Sequence, residues 1–214
     1  KLAEFYHQGI GCDKNLEKAI VLYEQLDAKN IKIPWYTLAW GYYKGIGVYQ
    51  DLDKALAYFQ KSANHADISG QMMMGKLYLN GELTRKNFKK ARKYFEIGDR
   101  KGNSEAQRLL GHMHEQGIGG DPNVRIAALF YEKAAQQGDI EAQYALGEIL
   151  LQDHRELDQN QPLAKHWFQE AANQGHEPAK KRLGDIYANG WGVKKDEAMA
   201  GHWYSQVDSD LLGQ

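Results

Sequence analysis

A small residue recurs along the chain at Ala3, Ala39, Gly75, Gly111, Gly147 and Gly184, at spacings of 36, 36, 36, 36 and 37 residues. An alanine follows each by sixteen residues, or seventeen in the fifth case: Ala19, Ala55, Ala91, Ala127, Ala164 and Ala200. Three and four residues further on stand Leu22/Tyr23, Tyr58/Phe59, Tyr94/Phe95, Phe130/Tyr131, Trp167/Phe168 and Trp203/Tyr204. A register held over the whole length marks tandem repeats, in which each copy buries its apolar face only against its neighbours. The chain therefore reads as six copies of one unit, near 1–33, 34–69, 70–105, 106–141, 142–178 and 179–214, in a single domain 1–214.

Each copy predicts two helices. An apolar residue precedes the small one (Leu2, Leu38, Met74, Leu110, Leu146, Leu183), and Tyr6, Tyr42, Tyr78, His114, Leu150 or Tyr187 follows three residues after it. Steps of one and three keep these side chains on one helical face. A G-x-G turn comes next at Gly9/Gly11, Gly45/Gly47, Gly117/Gly119 and Gly190/Gly192, suited to a helix end with positive φ. Asp51, Asp121 and Asp196 are then placed to cap the second helix. The small residue and the alanine let two helices approach closely while the aromatic pair fills the space alongside. A bulkier residue at Ala91 or Ala127 is expected to overpack by about 1–3 kcal/mol.

The pattern A-x4-G-x2-Y-x2-G-x-G-V…A-x2-W-Y-x2-A-A-x2-G, seen in "AQRLLGHMHEQGIGG…AALFYEKAAQQGD" and "AKKRLGDIYANGWGV…AGHWYSQV", resembles the Sel-one-like repeat, a relative of the tetratricopeptide repeat. The resemblance spans essentially the whole chain. It implies an all-α fold, a right-handed α/α superhelix (solenoid) whose first helices line a concave face. It also implies a scaffold or adaptor that holds other proteins together, commonly in bacterial signalling, envelope or secretion systems, with family habit leaning to the periplasm over the cytoplasm. Two copies depart from the pattern. The third has Leu83 at its second glycine place; the fifth has Asp153 and Arg155 at both, Leu150 for the tyrosine and one extra residue. Its turn is expected to be irregular, with an extended first helix.

The residues offer no chemistry of their own. Cys12 is the only cysteine, so no internal disulfide can form and a cysteine-based zinc site lacks ligands. His112 and His114 are two apart on a predicted helix and diverge, and no H-E-x-x-H occurs. None of the five serines (Ser62, Ser69, Ser104, Ser205, Ser209) begins S-x-x-K or sits in G-x-S-x-G. A non-enzyme without metal or cofactor is expected. The net charge of −1 gives no global pull toward nucleic acid or anionic membrane, and no apolar run is long enough to span a bilayer. The chain starts at Lys1, in the middle of the first helix of copy one, and is expected to be a fragment or processed form.

By analogy with tetratricopeptide repeats, positions three before, one after and four after the small residue face the groove. These are Tyr36, Trp40 and Tyr43; Met72, Lys76 and Leu79; Arg108, His112 and Glu115; Tyr144, Glu148 and Leu151; and Lys181, Asp185 and Ala188. Aromatic side chains bring large contact area at small rotamer cost, so Tyr36, Trp40 and Tyr43 are the expected anchors for a protein or peptide partner, oriented by Lys76, Arg108 and Glu115. The alternative for the stripe is packing against copy one. A second surface, Lys86, Lys89, Lys90 and Lys93, reads as a solvated outer face or a docking patch for an acidic partner, ahead of nucleic acid. Two other functions compete with the scaffold: an envelope hydrolase or peptidoglycan-binding (saccharide-binding) factor, and a homo-oligomeric structural element associating through its open N-terminal end.

Overall fold

The computed structural model describes residues 1–152 and 159–207. Among these residues the chain forms twelve α-helices and no strand. It divides into two compact bodies, Lys1–Gly98 and Asp99–Gln214. The N-terminal body holds α1 (Leu2–Gln8), α2 (Leu16–Asp27), α3 (Trp35–Lys44), α4 (Leu52–Asn64), α5 (Ile68–Asn80) and most of α6 (Phe88–Arg100). The C-terminal body holds α7 (Ser104–Glu115), α8 (Val124–Ala135), α9 (Ile140–Leu151), α10 (Gln161–Asn173), α11 (Glu177–Asn189) and α12 (Glu197–Ser205). Each repeat is one odd-numbered and one even-numbered helix.

The small residue is the seat of a ring from the second helix. A Cβ added to Gly75 would come within 2.5 Å of the Phe95 ring, and one on Gly111 or Gly147 within 2.7 Å of Tyr131 or Phe168. Phe95 and Phe168 are fully buried, as are Ala91, Ala127 and Ala164 one turn before each ring. In repeats two, three and four the other member of the aromatic pair stacks on the residue three after the small one. Tyr42 lies on Tyr58 (5.7 Å, 4° between planes), Tyr78 on Tyr94 (6.2 Å, 11°) and His114 on Phe130 (5.7 Å, 10°). His114 is thus a packed residue in the tyrosine position.

The turn between paired helices is closed by one residue used twice. The backbone N–H of Asn15, Asp51, Asn87, Asn123, Asn160 and Asp196 donates to the carbonyl of Tyr6, Tyr42, Tyr78, His114, Leu150 and Tyr187 at 2.7–3.0 Å. The same side chains accept from the N–H of Lys18, Lys54, Lys90, Ile126, Leu163 and Met199, capping the second helix. Asp121 is therefore not the cap of repeat four. Asn123 is, because the closing bond fixes the cap nine residues beyond His114. The fifth repeat absorbs its extra residue inside the turn and keeps the same bond, from Asn160 to Leu150. Its first helix is not extended: α9 ends at Leu151, and Gln152 is already in the β region at φ −91°, ψ 149°. The glycine places of that turn, Asp153 and Arg155, lie outside the described residues. In repeat three Leu83 takes φ 57°, the left-handed conformation that glycine serves elsewhere.

First helices are capped as well. Asp67, Asn103, Asp139 and His176 accept from the N–H of Ser69, Ala106, Ala142 and Ala179. Those helices accordingly begin at Ile68, Ser104, Ile140 and Glu177, two residues ahead of the boundaries drawn from the sequence. Successive repeats are tied by buried amides. Gln71 Nε2 donates to the Ala63 carbonyl and Gln143 Nε2 to that of Ala135, while Gln107 donates to Asp99. A lysine ammonium lies 4.8–5.3 Å from the ring centre of Tyr6, Tyr42 or Tyr78 (Lys18, Lys54, Lys90). Repeats four and five, with His114 and Leu150 in the ring position, carry Ile126 and Leu163 in the lysine position.

Two outcomes are expected from denaturant unfolding. Phe95→Ala should cost about 3–5 kcal/mol, since it empties a filled site. Asn123→Ala should cost about 1 kcal/mol through the lost cap, leaving the closing backbone bond in place.

Candidate functional site

The aromatic stripe of α3 is a preformed cluster within the N-terminal body. Tyr36, Trp40 and Tyr43 are each half-buried. Their rings sit 5.7, 5.9 and 6.3 Å from Phe59, the buried ring of their own repeat. Trp40 meets Tyr36 at 78° and Tyr43 at 89°, the edge-to-face arrangement that the ring quadrupole favours. The Lys44 ammonium lies 4.9 Å from the Tyr43 ring centre and 5.6 Å from that of Trp40. Tyr43 Oη donates to Glu82, whereas Tyr36 Oη and Trp40 Nε1 have no hydrogen-bond partner among the described residues. Phe59 of the same repeat is the ring partner that all three share, and the cluster they pack against also includes Ala19, Ile20 and Tyr23 of repeat one. The outer edges of the rings and two donors stay open.

Met72 does not join this surface. It is 5% exposed, so its side chain belongs to the interior. Its neighbour in the expected set, Lys76, is half-buried. The sequence spacing put both on one face, but α5 buries more of its circumference than α3, including Gly70, Gln71, Met74 and Gly75.

The C-terminal body engages most of its expected groove residues with side chains from outside the expected set. Arg108 Nε pairs with Asp139 at 3.3 Å, and Glu115 accepts from Tyr131 Oη at 2.7 Å. Glu148 takes a two-point contact from Arg182, Nε at 2.6 Å and Nη2 at 2.8 Å. Arg182 also reaches Asp185 at 3.5 Å, and Asp185 accepts from Tyr204 Oη at 2.8 Å. The Tyr144 ring packs at a tilt against His176 (4.7 Å, 43°) and Phe168 (5.7 Å, 58°). His112 is exposed. Arg182 was not among the expected groove residues, because it stands two rather than three places before Gly184. The Glu148 bonds hold its guanidinium firmly charged, and burial pushes the Tyr144 phenol up. This polar cluster is internally satisfied, and it orders the faces of α9 and α11.

A second hub escaped the sequence altogether. Asp27, at the end of α2, accepts from Trp35 Nε1 at 2.9 Å, Tyr58 Oη at 2.9 Å and Lys61 Nζ at 2.7 Å. Burial pushes the Asp27 carboxyl up, but the bonds from Lys61, Trp35 and Tyr58 outweigh it and hold the group below its ordinary value. Burial, then the Asp27 bond, pushes the Tyr58 phenol up to about 12. Only the four charges and rings together define the hub, and they are scattered between residues 27 and 61.

The clefts do not change this picture. One of about 750 Å³ lies between α2 and the turn before α4, lined by Glu17, Glu24, Tyr42, Tyr49, Asp51 and Lys54 among others. Three of its polar groups are already engaged with one another, since Glu24 takes the Tyr42 hydroxyl and lies 3.9 Å from Lys54. Among the described residues no three His, Cys, Asp or Glu side chains come together as a metal site, and no helix is long and apolar enough to cross a membrane. The four patch lysines are exposed, with Lys89, Lys90 and Lys93 on α6 and Lys86 in the turn before it, not on the helix.

Paired helices in constant register, with rings seated on small residues and variable residues left on the first-helix face, define an all-α helical-repeat solenoid. The chain belongs to the Sel1 repeat family, whose model matches residues 1–26, 36–67, 68–98, 104–139, 140–176 and 178–206. Proteins of this family are generally protein-interaction scaffolds, and the fold is typically non-catalytic. Among solved structures, the chain is similar to a Sel1 repeat protein from Oxalobacter formigenes, at 30% identity and TM-score 0.81, over 95% of this chain and 83% of that one. It is also similar to c5321, a protective antigen of uropathogenic Escherichia coli with an SLR fold, at 27% identity and TM-score 0.87. That match covers 98% of this chain but 44% of c5321, so the chain spans less than half of that relative. An immunity protein from Pseudomonas aeruginosa, Pa5087, shares the fold alone at 19% identity and TM-score 0.53. No curated protein matches the chain.

The polar hubs contribute to the pH dependence of stability. A depressed carboxyl such as Asp27 contributes above the ordinary carboxylate range of about 4 and is lost as pH falls through its folded value. A raised phenol contributes below its ordinary pKa of about 10 and is lost as pH climbs through its folded value. Tyr58 and Tyr204 both stand at about 12. Melting temperature should therefore decline from about pH 10 upward, with tyrosinate absorbance lagging behind that of the unfolded chain. Asp27→Asn should lower the melting temperature at neutral pH, and the difference should shrink below about pH 4.

Proposed function

We propose that this chain is a non-catalytic adaptor that receives a segment of a partner protein on the first-helix face of its N-terminal body, anchored by Tyr36, Trp40 and Tyr43. One observation carries the reading: three rings locked edge-to-face on a buried phenylalanine still present their outer edges and two unused donors. Little side-chain entropy remains to be lost on binding, and preorganised aromatics of this kind dominate binding hot spots. Lys76 borders the site in this reading. In the C-terminal body, Arg108, Glu115, Tyr144 and Glu148 serve as a stiffened polar surface, with His112 as its exposed contact. The solved relatives from Oxalobacter formigenes and Escherichia coli support a bacterial setting; a place in an envelope, secretion or signalling assembly is part of the proposal.

A saccharide platform fits less well. Sugar hydroxyls need acceptors beside the rings, and the carboxylate that reaches the stripe, Glu82, is already bound by Tyr43.

Affinity capture from the native host tests the adaptor. Trp40→Ala and Tyr43→Ala, each confirmed as folded by circular dichroism, should lose a protein that the parent chain retains, with affinity down at least tenfold (about 1.4 kcal/mol or more). Equal recovery by parent and variants would sink the site. Light scattering that shows a concentration-dependent dimer would favour self-association instead.

A further inference from the structure

Between Arg85 and Lys93 the chain carries six cations, Arg85, Lys86, Lys89, Lys90, Arg92 and Lys93, and no acid until Glu96. Lys90 is occupied by Tyr78, its ammonium 4.9 Å from the ring centre. Lys86, Lys89 and Lys93 are exposed and have no ion-pair, hydrogen-bond or ring partner among the described residues. Several other lysines are engaged: Lys54 faces Glu24, Lys61 pairs with Asp27, and Lys133 pairs with Asp99 at 3.3 Å.

The repeat register does not require this charge. The positions of Lys89 and Lys93 are held by Glu17 and Val21 in repeat one, by Asp53 and Ala57 in repeat two and by Arg125 and Leu129 in repeat four, so these copies do not share the lysine pair. Glu17 and Asp53 sit in the first turn of their helices, where the helix dipole favours an acid. Lys89 reverses that preference, and Lys89 and Lys93, four apart on one helix, repel each other. Packing places no lysine here and local electrostatics oppose both. An anionic partner removes both penalties at once.

We propose that this outer face of α6 docks an acidic segment of a partner protein, independently of the aromatic stripe. The cluster occupies one end of a 13-residue helix and stops at Glu96, on a chain of net charge −1. A nucleic acid backbone or an anionic bilayer would call for a basic track that continues beyond it. Phe88, 38% exposed beside Lys89, adds an apolar contact suited to a segment that alternates carboxylates with apolar residues.

The test uses the full chain and three probes: a fluorescein-labelled peptide of repeated Glu-Glu-Leu triplets as long as α6, a labelled oligothymidylate, and phosphatidylserine vesicles. The peptide should bind, and its affinity should fall as salt rises and drop about tenfold or more in Lys89→Glu/Lys93→Glu. Lys89→Gln/Lys93→Gln should lie between, and Trp40→Ala should bind as the parent does. The reversed variant should melt no lower than the parent, because Lys89→Glu restores the first-turn acid that repeats one and two carry at this place. No peptide binding, binding that the reversal leaves unchanged, or binding of the oligonucleotide or vesicles alone would each overturn the proposal.

Discussion

A glycine or alanine on each first helix leaves room for one aromatic ring from the second, and the remainder of the fold follows from that fit. With Phe95 over Gly75 and Phe168 over Gly147, the two helices lie close enough for the alanines before the rings to be fully buried. Close approach then brings the start of the second helix under the end of the first. The cap residue can bond backward to the carbonyl of Tyr6, Tyr42, Tyr78, His114, Leu150 or Tyr187. Ring, alanine and cap are three consequences of a single interhelical distance, so all three repeat with one period.

That coupling explains what was legible in the sequence. Six copies in register gave six independent readings of each slot, so the helices, their pairing and the buried positions could be assigned without coordinates. The departures were informative for the same reason. The extra residue of repeat five moved neither the ring seat nor the closing bond, because both are fixed by packing, and the excess was taken up in the turn. Asp121 looked like a cap by residue type, but Asn123 holds that place because the bond back to His114 sets the distance.

The candidate site was legible only in part. Tyr36, Trp40 and Tyr43 could be found because they share one face of a single helix. Met72 was misjudged because the spacing names a face without saying how much of it the neighbouring helices cover. Arg182 and the Asp27 hub were missed because their partners lie on other helices, 34 residues away for Glu148 and Arg182. Pairings of that kind depend on how side chains reach across helices, and a repeat period does not encode them.

Once packing, caps and hubs are assigned, the residues left over differ between the two bodies. In the C-terminal body the variable first-helix charges answer one another, as Arg108 does Asp139 and Arg182 does Glu148. Breaking such a pair to greet a ligand costs desolvation and leaves a partner exposed without its counter-charge. In the N-terminal body the stripe on α3 asks for no such sacrifice. Its rings are held from beneath by Phe59, and the donors of Tyr36 and Trp40 give up only water when a partner carbonyl arrives. A surface that is rigid underneath and unsatisfied on top has its entropy loss behind it and its hydrogen bonds still to make. That asymmetry is the argument for proposing α3, rather than the charged faces of the C-terminal body, as the anchoring surface.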